Sequence, residues 1–167
     1  MKKLYTLIIL ILTFIPALVS AQNSGKRIWL NAAGNSGMLA VQFDTRLSAA
    51  LPNWGFMAGA GLIADPSSTG FTIPAGLYYL AGNKGRYLEL GAGASFMRFP
   101  QRSQDSWFNF EKENFVTPYF HIGYRSQPEG KRRYFRAGLD YFSSDLRLPK
   151  ILGLRNLVPG ISLGWKI

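Results

Sequence analysis

The sequence predicts an all-β protein: an eight-stranded antiparallel up-and-down transmembrane β-barrel whose outer surface meets lipid. Three observations carry that expectation. Nearly every apolar run after residue 25 alternates with a period of two, as in Ile161, Leu163, Trp165 and Ile167, which are separated by Ser162, Gly164 and Lys166. The connections between runs alternate between compact turns and longer stretches. Aromatic residues gather where the runs end.

The N-terminal segment sets the expected compartment. Lys2 and Lys3 precede an apolar run from Leu4 to Ile15, followed by Pro16 and the small-residue stretch Val19-Ser20-Ala21. A charged start, an apolar run and a small-residue cleavage site read as a secretory signal peptide over residues 1–21, removed after Ala21. The apolar run is short for a spanning helix, which needs about 20 residues. No cysteine follows it, so a lipoprotein anchor is excluded, and the absence of cysteine throughout excludes disulfides and thiolate chemistry. Residues 22–167 then form one barrel domain. The formal charge of +10 falls to +8 once Lys2 and Lys3 are gone. A basic chain invites a nucleic-acid reading, which export argues against, so no nucleic-acid partner is expected. No later segment offers about 20 uninterrupted apolar residues, so strands are the available route across a bilayer.

Eight strands are read in order. They run about Lys26–Ala33, Met38–Ala49, Trp54–Ala64, Gly70–Ala81, Arg86–Met97, Phe115–Ser126, Arg133–Ser143 and Val158–Ile167. Most match the roughly 9–11 residues that a tilted membrane strand needs. Leu51-Pro52-Asn53, Gly82-Asn83-Lys84-Gly85 and Gln127-Pro128-Glu129-Gly130-Lys131 supply the turns after strands two, four and six. Longer stretches, Arg98–Asn114 and Ser144–Asn156, follow strands five and seven. An even strand count puts both ends of the barrel chain on the short-turn side.

The bulky parity of each strand is assigned outward: Leu39, Val41, Phe43 and Leu47 on the second, Phe56 and Leu62 on the third, Leu88 and Leu90 on the fifth, Phe120 and Ile122 on the sixth. The opposite parity is glycine-rich and polar, as a narrow interior requires. Finding Phe56, Leu90, Phe120 and Leu163 together in a dry centre would reverse the assignment and make the protein a soluble secreted β-protein. Trp54, Tyr79, Tyr124 and Trp165 fall at one level on the outward parity and form the expected aromatic girdle, with Phe71, Phe96 and Tyr141 at the other edge.

With these runs in hand, the chain resembles the small eight-stranded outer-membrane β-barrels of Gram-negative bacteria, the OmpA-like or porin-like barrel domain group. The resemblance spans about Arg27 to Ile167. Its carriers are Tyr87-Leu88-Glu89-Leu90-Gly91-Ala92-Gly93-Ala94, Pro118-Tyr119-Phe120-His121-Ile122-Gly123-Tyr124-Arg125, Phe135-Arg136-Ala137-Gly138 and Pro159-Gly160-Ile161-Ser162-Leu163-Gly164-Trp165-Lys166-Ile167. It implies a bare barrel in the cell outer membrane, handed to the barrel-assembly machinery through its C-terminal strand. Contact with outer-membrane lipid is expected from the alternating apolar face, and with lipopolysaccharide phosphates from the basic last loop. Members usually end in an aromatic residue; here Ile167 stands in that place and Trp165 lies just upstream.

The chemistry expected of the interior is modest. Asp44, Arg46, Glu89, His121, Arg136 and Asp140 face inward as a polar network, because charges in a narrow interior must find partners or water. Approximate pairing across the sixth turn sets Gly123 opposite Arg136 and Tyr119 opposite Asp140, which brings Glu89 to a similar level to Arg136. A Glu89–Arg136 pair is expected to help plug the lumen, with Asp44 and Arg46 adding to it. His121 is the chain's single histidine. It raises a catalytic reading with Ser95 or Ser126 as nucleophile and Glu89 or Asp140 as orienting group, but no nucleophile elbow or paired-histidine spacing supports it. No enzyme activity, cofactor or metal is therefore expected. Trp107, Phe108 and Phe110 in the longest loop, and Arg147, Lys150 and Arg155 in the last, are candidate surface contacts. A structural or surface-interaction role comes first, a narrow passive channel second and a lipid-modifying enzyme third.

Overall fold

In the computed structural model the described residues are 25–65, 68–98, 114–143 and 156–167. The expected signal peptide lies outside them, as do Trp107, Phe108, Phe110, Arg147, Lys150 and Arg155. The described residues form eight strands: β1 (Arg27–Ala33), β2 (Leu39–Arg46), β3 (Trp54–Asp65), β4 (Ser68–Asn83), β5 (Arg86–Arg98), β6 (Asn114–Ser126), β7 (Arg133–Phe142) and β8 (Leu157–Lys166). Each pairs antiparallel with its neighbour in sequence, and β1 closes on β8 from Arg27↔Lys166 to Ala33↔Gly160. Closure leaves no free sheet edge.

Alternation sets which residues share a face, and burial shows which face is the inner one. Leu90, Phe120 and Leu163 are 43%, 57% and 52% exposed on the outside, and Phe56 is partly exposed there as well. The dry-centre alternative is thereby excluded. Trp29, Gln42, Asp44, Met57, Tyr78, Glu89, Tyr119 and Arg125 are fully buried inside. Large interior side chains meet glycine on the facing strand. Trp29 pairs with Gly164, where an added Cβ would sit 2.6 Å from the indole, and Tyr78 pairs with Gly55, whose added Cβ would overlap the phenol ring.

Some expected limits shift. β2 stops at Arg46, so Leu47 leaves the strand and instead bonds Trp54 across the turn, its N–H donating to the carbonyl at 3.0 Å. Asp65 pairs directly with Ser68, which makes the third connection shorter than expected. After β4, Lys84 and Gly85 both take positive φ, 49° and 76°, between the paired Asn83 and Arg86, the backbone of the tight hairpin turns that suit twisted strands.

The largest correction is the β6–β7 register. Gly123 faces Gly138, Arg125 faces Arg136 and His121 faces Asp140, a slip of two residues from the expected pairing. Arg133 and Tyr134 pair with Trp165 and Gly164 of β8 before β7 begins to pair with β6, which lengthens the turn. Because side chains alternate with a period of two, a slip of two leaves every face unchanged and alters only the partners.

Candidate functional site: a charged plug in the lumen

The interior is layered along the barrel axis. Its centre is Arg125, wholly buried on β6. Glu89 on β5 pairs with Gly123, so Arg125 is its diagonal same-face neighbour, within reach of long side chains. Arg125 grips Glu89 with two bonds, Nε–Oε2 at 2.7 Å and Nη2–Oε1 at 2.6 Å. Its remaining nitrogen, Nη1, donates to Asp44 Oδ2 on β2 at 2.6 Å. Asp44 also accepts from the Tyr78 hydroxyl at 2.7 Å, the Trp29 indole N–H at 3.2 Å and Arg27 Nη1 at 3.4 Å. The Arg125 guanidinium lies 4.3 Å from the Tyr78 ring centre and 5.0 Å from that of Trp29. Charged and aromatic groups here satisfy one another away from water.

Arg136 on β7 is the second interior cation, and its guanidinium also stands 5.0 Å from the Trp29 ring centre. Its Nη2 donates to Gln42 Oε1 at 2.7 Å and Asn31 Oδ1 at 2.9 Å. Its approach to Glu89 is longer, 3.5 Å. Glu89 and Arg136 do come together, but the tighter grip on Glu89 is that of Arg125 across the β5–β6 pair, and Arg136 gives its shorter bonds to neutral amides.

Farther from the short turns, the β1–β2 connection folds into the lumen. Asn35 and Ser36 are buried. Gln42 Nε2 donates to Asn35 Oδ1 at 2.9 Å and Ser36 Oγ at 2.5 Å, and the Thr72 hydroxyl bonds the Ser36 carbonyl. The Asn35 N–H donates to Asp140 Oδ2 at 3.0 Å, while Asp140 Oδ1 lies 2.9 Å from His121 Nδ1. A small cavity of about 10 Å³ beside His121, Asp140 and Arg136 has room for a single water. Beyond it, Ile63, Met97, Tyr119 and Phe142 form an apolar layer.

The expected inward set is therefore placed as follows. Asp44, Glu89, His121, Arg136 and Asp140 line the lumen, whereas Arg46 stands at the mouth, donating to the Pro52 carbonyl at 2.8 Å and Gln127 Oε1 at 3.2 Å. Sequence reasoning passed over Arg125, Trp29 and Tyr78, although Arg125 shares the parity of His121 and Gly123. His121 has its carboxylate, but its Nε2 has no hydrogen-bond partner, so no serine hydroxyl engages it. Among the described residues no cluster of candidate metal ligands is present.

On the outside, Trp54 and Tyr79 are paired in register, their rings 5.2 Å apart, and Tyr124 and Trp165 are exposed toward the same end. Phe71 and Phe96 meet in a tilted pair, ring centres 6.0 Å apart, toward the other.

No protein-family model and no curated protein matches the chain. Among solved structures it is similar to the N-terminal β-barrel domain of Pseudomonas aeruginosa OprF, at a TM-score of 0.62 and 14% identity, over 87% of this chain and 98% of that domain. The fold is that of the OmpA-like small barrels. Within that fold the barrel fills its lumen with an Arg125-centred network assembled from β1, β2, β4, β5 and β6.

Proposed function

We propose that the protein is an integral outer-membrane barrel, non-enzymatic, that serves a structural or surface-interaction role and does not conduct. The observation that carries this reading is the fully buried Arg125 bridging Glu89 and Asp44 across the interior. An eight-stranded barrel is only wide enough for side chains to fill, and here that filling is charge-paired, with the Asn35-Ser36 turn and an apolar layer stacked above it. Membrane placement is supported by the apolar exterior and the aromatic pairs toward its two ends. Outer-membrane lipid would then surround the band, and β8 would present the assembly signal. The loops expected to meet partners or lipopolysaccharide lie outside the described residues.

The experiment is membrane fractionation followed by gel electrophoresis with and without boiling. An outer-membrane band that shifts on heating is expected; a soluble periplasmic protein with no shift would defeat the reading. Planar-bilayer recordings of the purified barrel are expected to stay at baseline, and regular single-channel steps would favour the channel alternative.

A further inference from the structure

We propose that the short-turn mouth of the barrel is a binding site for a soluble polyanion carrying phosphate or carboxylate groups. The mouth opens into a basin of about 790 Å³, within the range of small-molecule sites, roughly 300–1,000 Å³. Its charged side chains are Arg27, Arg46, Lys131, Arg132 and Lys166, with Glu129 as the acidic one. Charge of one sign alone could be a solvated rim. Two buried donors argue for more.

Gln127 is 8% exposed and lines the basin. Its carbonyl oxygen accepts from Arg46, which fixes the amide orientation, because the flipped amide would turn its NH2 toward a cation. The Nε2 group is left buried and without a partner. Arg27 Nε is likewise a buried donor with no acceptor, while Arg27 Nη1 is held by Asp44. Buried donors with empty valences are uncommon in folded proteins. Both belong to side chains that line one electropositive basin. A small turn of the Gln127 amide, which gives up no bond at Nε2, would bring that donor to an oxyanion held there, and the ion would complement the charge.

The walls are also set in advance. Arg46 lies over the Tyr87 ring at 5.9 Å and Arg27 over Tyr134 at 5.6 Å. Guanidinium groups held against aromatic faces lose less freedom when a ligand arrives. The inference needs the barrel fold; the membrane placement proposed above decides only which compartment supplies the ligand.

The test uses the full chain refolded into nanodiscs of zwitterionic phosphatidylcholine, with inorganic triphosphate and citrate as probes in titration calorimetry. Saturable one-to-one binding of either probe is expected, weakened at least tenfold by Gln127→Glu, which places a carboxylate where the unpartnered amide stands. The pair Lys131→Gln/Arg132→Gln should weaken it similarly, and Lys84→Gln/Arg86→Gln, outside the basin, by less than twofold. The heat-shifted band checks folding of every variant separately, so a failed membrane reading and a failed site are told apart. Absence of saturable binding for both probes in folded barrel would overturn the proposal. Equal weakening by the two double variants would too, since it would reduce the effect to net charge. Binding seen only when anionic lipid is added to the disc would assign the basin to headgroups and likewise overturn it.

Discussion

Arg125 makes the shortest contacts of two fully buried carboxylates, Glu89 and Asp44, whose other cations, Arg136 and Arg27, stand off at 3.5 and 3.4 Å, and Trp29 and Tyr78 flank its plane. Removing one member of a buried ion cluster strands the others, at a cost of about 3–5 kcal/mol. Arg125→Met is therefore expected to lower stability by that amount, measured by urea titration of the barrel in phosphatidylcholine vesicles with tryptophan fluorescence. Arg136 donates mainly to Gln42, Asn31 and Ser162, which are neutral. Arg136→Met should cost less, about 1.5–3 kcal/mol, and the reverse order would contradict the assignment of Arg125 as the centre. Gly164→Val tests the fit beneath Trp29, where even a Cβ comes within 2.6 Å of the indole; a loss of about 1–3 kcal/mol from overpacking is expected.

At the scale of the strand, β6 carries the whole logic in thirteen residues. Val116, Phe120, Ile122 and Tyr124 project outward while Thr117, Tyr119, His121 and Arg125 are buried. Phe120 sits at its middle. If hydrocarbon wets that face, Phe120→Arg should cost about 2–4 kcal/mol in vesicles, whereas an arginine on a water-facing strand would cost almost nothing. A near-zero change in the same urea titration would contradict lipid contact. Which residues of each strand share a face was legible from local alternation, and the structure decided that the bulky face is the outer one. The β6–β7 pairing was not, because turn length fixes register and two residues more or fewer keep the hydrophobic pattern intact. His121 and Asp140 do meet, although the expected register had set Tyr119 opposite Asp140.

At the scale of the whole barrel, closure of β1 on β8 brings Trp29 beneath both interior arginines, and the plug is redundant. The charged centre, the buried Asn35-Ser36 turn and the layer of Ile63, Met97, Tyr119 and Phe142 each occupy a level of their own. Glu89→Ala is accordingly expected to leave planar-bilayer recordings at baseline even as it lowers stability. Discrete openings in that variant alone would identify Glu89 as a gate.

Strand number, the set of residues that share a face and the level of each aromatic are properties of neighbouring residues in the chain, and the amino-acid order determined them on its own through the period of two, whereas which face turns inward was decided by the closed sheet. Which carboxylate meets which arginine belongs to tertiary structure. Asp44 and Arg125 are 81 positions apart in sequence, and nothing local links them until the sheet closes and its registers are set. Closure of β1 on β8 set Gly164 beneath Trp29, the β3–β4 register set Gly55 beneath Tyr78, and Arg46, expected in the central network, bonds the Pro52 carbonyl and Gln127 at the mouth.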